Sequence, residues 1–182
     1  ATIHAALDAG VTLIDTADAY HRDANEVGHN EELIARALRS YGGDTSGVLV
    51  ATKGGHLRPG DGSWTKNGRP ELVSVQNQFS PAFRSSQPEI DVCEELGLAF
   101  LPWSPLGGLS DAKELADKHP AFARVAEDRG VSAQQVALAW ELAQSPVVIP
   151  IPGAKRPQSI TDSAAAADIE LTPDELAALD AS

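Results

Sequence analysis

Three side chains in this sequence have the types and placement for proton chemistry: a carboxylate, Asp15, a phenol, Tyr20, and an amine, Lys53. Asp15 and Tyr20 bracket the string DTADAY at 15–20, directly after the apolar run VTLI. Lys53 lies in ATKGG at 51–55, directly after VLV. Residues at the C-terminal ends of parallel strands converge on one mouth, where α/β folds place their chemistry. A cation beside a phenol favours the phenolate, so the trio reads as a proton donor, Tyr20, with its supporting charges. Taken singly, Asp15 serves equally well as a turn cap, and Tyr20 as an ordinary loop residue. Lys53 resists that treatment, because an amine following an apolar strand must be solvated or paired. Together the three favour a site.

The elements that would position them are legible as an alternation. Five apolar runs read as strands covered on both faces: VTLI at 11–14, VLVAT at 48–52, LVSVQ at 72–76, LAFLPW at 98–103 and VVIPI at 147–151. Helical patterns stand between them. In EELIARALRS, Leu33, Ile34, Ala37 and Leu38 share one face. A helix at 88–97 stops at Gly97, and others are expected at about 111–129 and 133–143. Ser132 and Gln135 have the spacing of a capping box, as do Thr172 and Glu175, with Pro173 in the first turn. Strand–helix alternation predicts an α/β fold with parallel strands. The stretch GGHLRPGDGSWTKNGRPE after Lys53 breaks the pattern, since it is polar, Gly- and Pro-rich and has no helical period. It is expected either to make an irregular crossover or to mark missing elements, and its part at 56–71 is expected to cover the cofactor or substrate, with Trp64 lining the pocket.

Composition narrows the partners. The chain has 182 residues and a net charge of −12, which argues against general nucleic-acid binding and against docking on an anionic membrane. The single cysteine, Cys93, allows no intrachain disulfide and falls mid-helix, where burial would leave it inert. No apolar run approaches a membrane span and no signal peptide is visible, so a cytoplasmic setting is expected. The five histidines show no metal-ligand spacing.

In order along the chain, GVTLIDTADAY, GHNEELIARAL, VLVATKGG, VQNQFSPAFR, FLPWSPLGG and VVIPIPGAKRP resemble the aldo-keto reductases. The resemblance implies a (β/α)8 TIM barrel that binds NADP(H) across its C-terminal mouth and reduces small aldehydes or ketones to alcohols. It implies three catalytic residues: Tyr20 as proton donor, Lys53 beside it and Asp15 paired with Lys53. It implies that Gln76 holds the nicotinamide carboxamide and Trp103 stacks on the ring. Ser104, Pro105, Leu106 and Gly107 resemble the pyrophosphate-side loop. Gly153, Lys155 and Arg156 resemble the segment around the 2′-phosphate, and Asp162 and Ser163 occupy the adenine-side positions, where the family usually has Glu-Asn.

One stretch of the family pattern has no counterpart. Only residues 54–75 separate Lys53 from Gln76, and the family's catalytic histidine finds no match there. At 182 residues the chain is also shorter than the ~250 typical of this barrel. The expectation is a single incomplete barrel over 1–182 with about five of eight parallel strands, truncated at its N-terminus and joined across an internal deletion near Glu71 and Leu72. A second function class therefore stands beside the reductase: a cofactor-binding, redox-sensing or interaction remnant, prone to self-association through bare strand edges.

Overall fold

The computed structural model describes residues 1–17, 20, 28–53, 56–57, 65–66, 74–108 and 111–182. Trp64, most of its loop and the expected junction at Glu71 and Leu72 lie outside the described residues. The chain divides into two compact units, Ala1–Glu71 and Leu72–Ser182.

The first unit opens with α1 (Thr2–Asp8), followed by β1 (Leu13–Asp15), α2 (His29–Ser40) and β2 (Leu49–Ala51). β1 and β2 pair in parallel, with Leu13 opposite Leu49 and Asp15 opposite Ala51. This is the α/β arrangement expected, with α2 as the crossover. Ile34 is the residue that α2 buries; Leu33, expected on the same face, is 41% exposed. Tyr41 after α2 donates from its hydroxyl to Asp8 at 2.7 Å, tying the end of that helix to α1. β2 departs from the expectation of strands covered on both faces, since Leu49 is 67% and Val50 42% exposed. The polar stretch after Lys53, which shows no helical period, contains a short antiparallel ladder, β3 (His56–Leu57) against β4 (Thr65–Lys66).

The second unit holds β5 (Ser74–Gln78), α3 (Gln87–Leu96), β6 (Ala99–Trp103), α4 (Leu115–Lys118), α5 (Pro120–Arg129), α6 (Ala133–Leu142), α7 (Pro157–Ala164) and α8 (Pro173–Asp180). β5 and β6 are parallel, with Gln76 opposite Leu101 and Gln78 opposite Trp103. α3 ends where expected, on Gly97 in the left-handed region (φ 66°). The fifth apolar run forms a parallel bridge, Phe100 to Val148, instead of a strand. Ile149 still donates to the Phe100 carbonyl at 2.8 Å and Ile151 to that of Pro102 at 3.4 Å, but Pro102 of β6 has no N–H to return, so the ladder does not continue. The single helix expected at 111–129 is three pieces: a 3-10 turn at Asp111–Lys113, then α4 and α5. Pro120 disfavours helical backbone at the residue before it, and His119 sits at φ −127°, ψ 79°.

The core lies between β5, β6 and the helices. Phe79, Ile90, Phe100, Phe122, Val136 and Trp140 form its centre. Trp140 stacks on Phe79 at 5.4 Å, meets Phe122 edge-on at 5.8 Å and donates from Nε1 to Asp180 at 2.7 Å. No helix of the described residues is long and apolar enough to cross a membrane.

Two carboxyl groups make the stability of this unit depend on pH in opposite directions. The Arg129 guanidinium donates to both oxygens of Glu175 at 2.6 Å, and the Thr172 backbone N–H donates to the same carboxylate at 2.7 Å. These bonds, Arg129 first, hold the Glu175 carboxyl at about 2, against an ordinary 4.5. A depressed carboxyl stabilises the fold above its unfolded value. That contribution is fully present above pH 4.5 and is lost as pH falls toward 2. Glu175→Gln is expected to lower the thermal midpoint at neutral pH and to flatten its fall across that acid window.

Glu141 is the opposite case. It is fully buried in α6, and neither carboxyl oxygen has a hydrogen-bond partner among the described residues. Burial pushes its carboxyl well above the ordinary 4.5. The folded state therefore holds a proton that the unfolded chain releases, and stability declines as pH rises above 4.5. Glu141→Leu, apolar and of similar volume, is expected to raise the thermal midpoint at neutral pH and to remove that decline.

Candidate active site

The strand order of the first unit brings Asp15 and Lys53 together. Asp15 is the last residue of β1, and Lys53 lies two residues beyond the end of β2, its parallel partner. Lys53 Nζ donates to Asp15 Oδ2 at 2.6 Å and to the Thr16 carbonyl at 2.9 Å. The pair is largely shielded, with side-chain exposures of 10% for Asp15 and 27% for Lys53. The same ammonium stands 5.1 Å from the centroid of the Tyr20 ring, a cation–π distance. Tyr20 itself is 43% exposed, so the phenol is open to an incoming molecule.

Sequence reasoning missed the supports of this trio. The Thr16 carbonyl accepts a second hydrogen bond from the Lys53 ammonium, and a backbone acceptor carries no signature in the residue code. The Thr16 hydroxyl in turn accepts from Asn30 Nδ2 at 2.9 Å, which fixes the start of α2 against the end of β1. Glu31, next on that helix, accepts a hydrogen bond from the Thr52 hydroxyl beside Lys53.

The residues expected on the cofactor fall in the second unit. Side chains alternate along a strand, so Gln76, Gln78, Leu101 and Trp103 share one face of the β5–β6 pair, while Val75, Phe79 and Phe100 face the core. Trp103, at the C-terminal end of β6, is 41% exposed, as a stacking platform must be. Gln78 stands directly opposite it in the register and was overlooked, although the alternation in SVQNQ places it on the face of Gln76.

After Trp103 the chain turns sharply. Ser104 is the sole non-glycine at positive φ among the described residues, at 52°, and the Gly107 N–H donates back to its carbonyl at 2.8 Å. Such backbone costs of order 1–3 kcal/mol and persists where the surroundings hold it. Gly107 sits at φ 80°, which strains any side chain, and a Cβ there would lie 3.0 Å from that of Asp111, close enough to push it aside. Lys155 and Arg156 immediately precede α7, with Arg156 as its N-cap residue. Asp162 accepts from the Ser132 hydroxyl and from Gln135 Nε2, both at 2.7 Å. Ser163 follows it in α7.

Comparison with known proteins decides the family. The aldo/keto reductase family model matches residues 1–73 and again 63–182. The chain belongs to the aldo/keto reductase family. An uncharacterised oxidoreductase of Schizosaccharomyces pombe is 26% identical over 251 aligned residues, which take in 99% of this chain and 77% of the relative. Pyridoxine 4-dehydrogenase of Escherichia coli is 34% identical over 110 residues, 60% of this chain and 37% of its own length. Among solved structures, aldose reductase from Giardia lamblia superposes with a TM-score of 0.75 at 17% identity, covering 98% of this chain and 85% of that one. An aldo-keto reductase from Klebsiella pneumoniae, solved in complex with NADPH, gives 0.74 at 22% identity over 99% and 82%. This aldo/keto reductase is thus an incomplete (β/α)8 barrel, and its described parallel strands are pieces of that architecture.

Proposed function

We propose that the chain is an NADP(H)-dependent oxidoreductase that reduces small aldehydes or ketones to alcohols, with Tyr20 as proton donor. The observation that carries this reading is the shielded Lys53–Asp15 pair at 2.6 Å, with the Tyr20 ring 5.1 Å from the same ammonium. In this reading the Tyr20 hydroxyl gives its proton to the carbonyl oxygen. Lys53 supports the negative charge left on the phenol oxygen, and Asp15 fixes the ammonium. The nicotinamide supplies the hydride when bound.

The donor set of the second unit suits that cofactor. Gln76 offers an amide to the nicotinamide carboxamide, and the exposed Trp103 offers a face for the ring. The strained turn at Ser104, with Pro105, Leu106 and Gly107, would meet the pyrophosphate. Gly153 leaves open space where a Cβ would stand. Lys155 and Arg156 supply the charge that a 2′-phosphate requires, and Asp162 and Ser163 would face the adenine.

A second reading has its own support. The family model matches in two segments that meet at 63–73, where the two units also divide. The relative from Schizosaccharomyces pombe aligns over 251 positions, against 182 residues here. Both are in keeping with an internal deletion near Glu71 and Leu72 that removed the family's histidine. The chain would then bind cofactor without turning it over. Titration with NADPH followed by an aldehyde separates the readings. Binding followed by aldehyde-dependent oxidation of the cofactor supports the reductase. Binding alone supports the remnant, and no binding overturns both.

A further inference from the structure

Ser132 and Gln135 have capping-box spacing, but the structure forms half a box. The Ser132 hydroxyl accepts from the Gln135 backbone N–H at 3.0 Å, as an N-cap should. The Gln135 side chain does not return to the cap. Its Nε2 donates to Asp162 Oδ1, and the Ser132 hydroxyl donates to Asp162 Oδ2, each at 2.7 Å. The first turn of α6 thus grips both oxygens of one carboxylate on α7.

That grip matters because α7 packs only half-buried against its neighbours. It is eight residues long, it buries none of them, and its N-cap residue, Arg156, makes no side-chain cap bond. A helix this short is marginal without tertiary contacts. The two bonds to Asp162 are the only side-chain hydrogen bonds that α7 makes among the described residues. Hydrogen bonds to an ionised acceptor are also the strong kind. Whatever fixes α7 fixes the Lys155–Arg156 pair at its start.

We propose that Ser132 and Gln135 are positioning residues for the cofactor's adenosine end: through Asp162 they set α7, and with it the cationic lip formed by Lys155 and Arg156. The inference rests on the reading that this lip meets a 2′-phosphate. Each oxygen of Asp162 keeps a lone pair, so the gripped carboxylate can still accept from an adenine amino group. Asp162, usually Glu in the family resemblance, would be reached and aimed by this fork.

The test measures binding by the full chain, by isothermal titration with adenosine 2′,5′-bisphosphate and with NADPH, at a temperature where every variant is folded. Gln135→Leu removes the side-chain donor and leaves the backbone cap. It is expected to raise Kd for both probes about tenfold. Ser132→Ala is expected to do the same, and Ser132→Thr, which keeps a hydroxyl, to restore parental affinity. Unchanged affinity in Gln135→Leu, with or without a lower thermal midpoint, overturns the inference and leaves the cofactor reading standing. Equal loss in Ser132→Thr and Ser132→Ala overturns it too. Failure of the parent chain to bind either probe removes the cofactor reading, and the inference falls with it.

Discussion

Replacing Tyr20 with phenylalanine is expected to slow carbonyl reduction by about 10²–10⁴-fold, the usual contribution of a positioned proton donor. Affinity for NADPH should be unaffected. Phenylalanine keeps the ring that the Lys53 ammonium approaches at 5.1 Å, so the substitution removes the hydroxyl and little else. The measurement is a single turnover of chain preloaded with NADPH, compared with a direct binding titration. Reduction at the parent's rate would overturn the assignment of Tyr20. Lys53→Met is the companion variant. It leaves Asp15, 10% exposed, without its cation, so a loss of stability should accompany the loss of rate.

The second large effect is on stability. Trp140→Ala is expected to cost ~3–5 kcal/mol, the range for deleting a large buried aromatic. Trp140 is 1% exposed, and Phe79 lies parallel to it with an interplanar angle of 4°. The Arg84 guanidinium packs on its other surroundings, 4.6 Å from the ring, and donates to the carbonyls of Leu179 and Asp180 at the end of α8. Removing the indole therefore empties the centre of the core and loosens α8 together. Trp140→Phe keeps a stacked ring but loses the 2.7 Å bond to Asp180 and the volume of the indole's second ring. That variant should cost about 1–3 kcal/mol, less than Trp140→Ala. Denaturant unfolding of both proteins reads the difference directly, and a Trp140→Ala chain as stable as its parent would refute the placement of the core.

Much of this was legible in the residues for identifiable reasons. The apolar runs before Asp15 and Lys53 announced parallel strands, and the spacing of Thr172, Pro173 and Glu175 announced a capping box that the structure forms in full. What local pattern could not reveal was competition from distant partners. Gln135 has the spacing to cap its own helix but bonds to a carboxylate 27 residues later. VVIPI has the apolarity of a strand, yet Pro102 on its partner β6 lacks the N–H that would carry the ladder past a single bridge. Leu49 and Val50 read as doubly covered because periodicity reports what a strand can bury, not what is present to cover it. At the site, residue type identified Lys53 and Asp15, whereas the Thr16 carbonyl could only be found in three dimensions.

Cys93, the sole thiol in the chain, is 1% exposed among Phe79, Ile90 and Phe100. Burial pushes it above its ordinary range, with Glu89 adding to the effect. A disulfide reagent can reach it only when the surrounding helices part. The rate of labelling under native conditions therefore clocks opening around Cys93 in residues 72–182, and the first unit contributes no sulfur to confuse the signal. The molecule carries its own stopwatch for one half of its structure, with no engineered probe required.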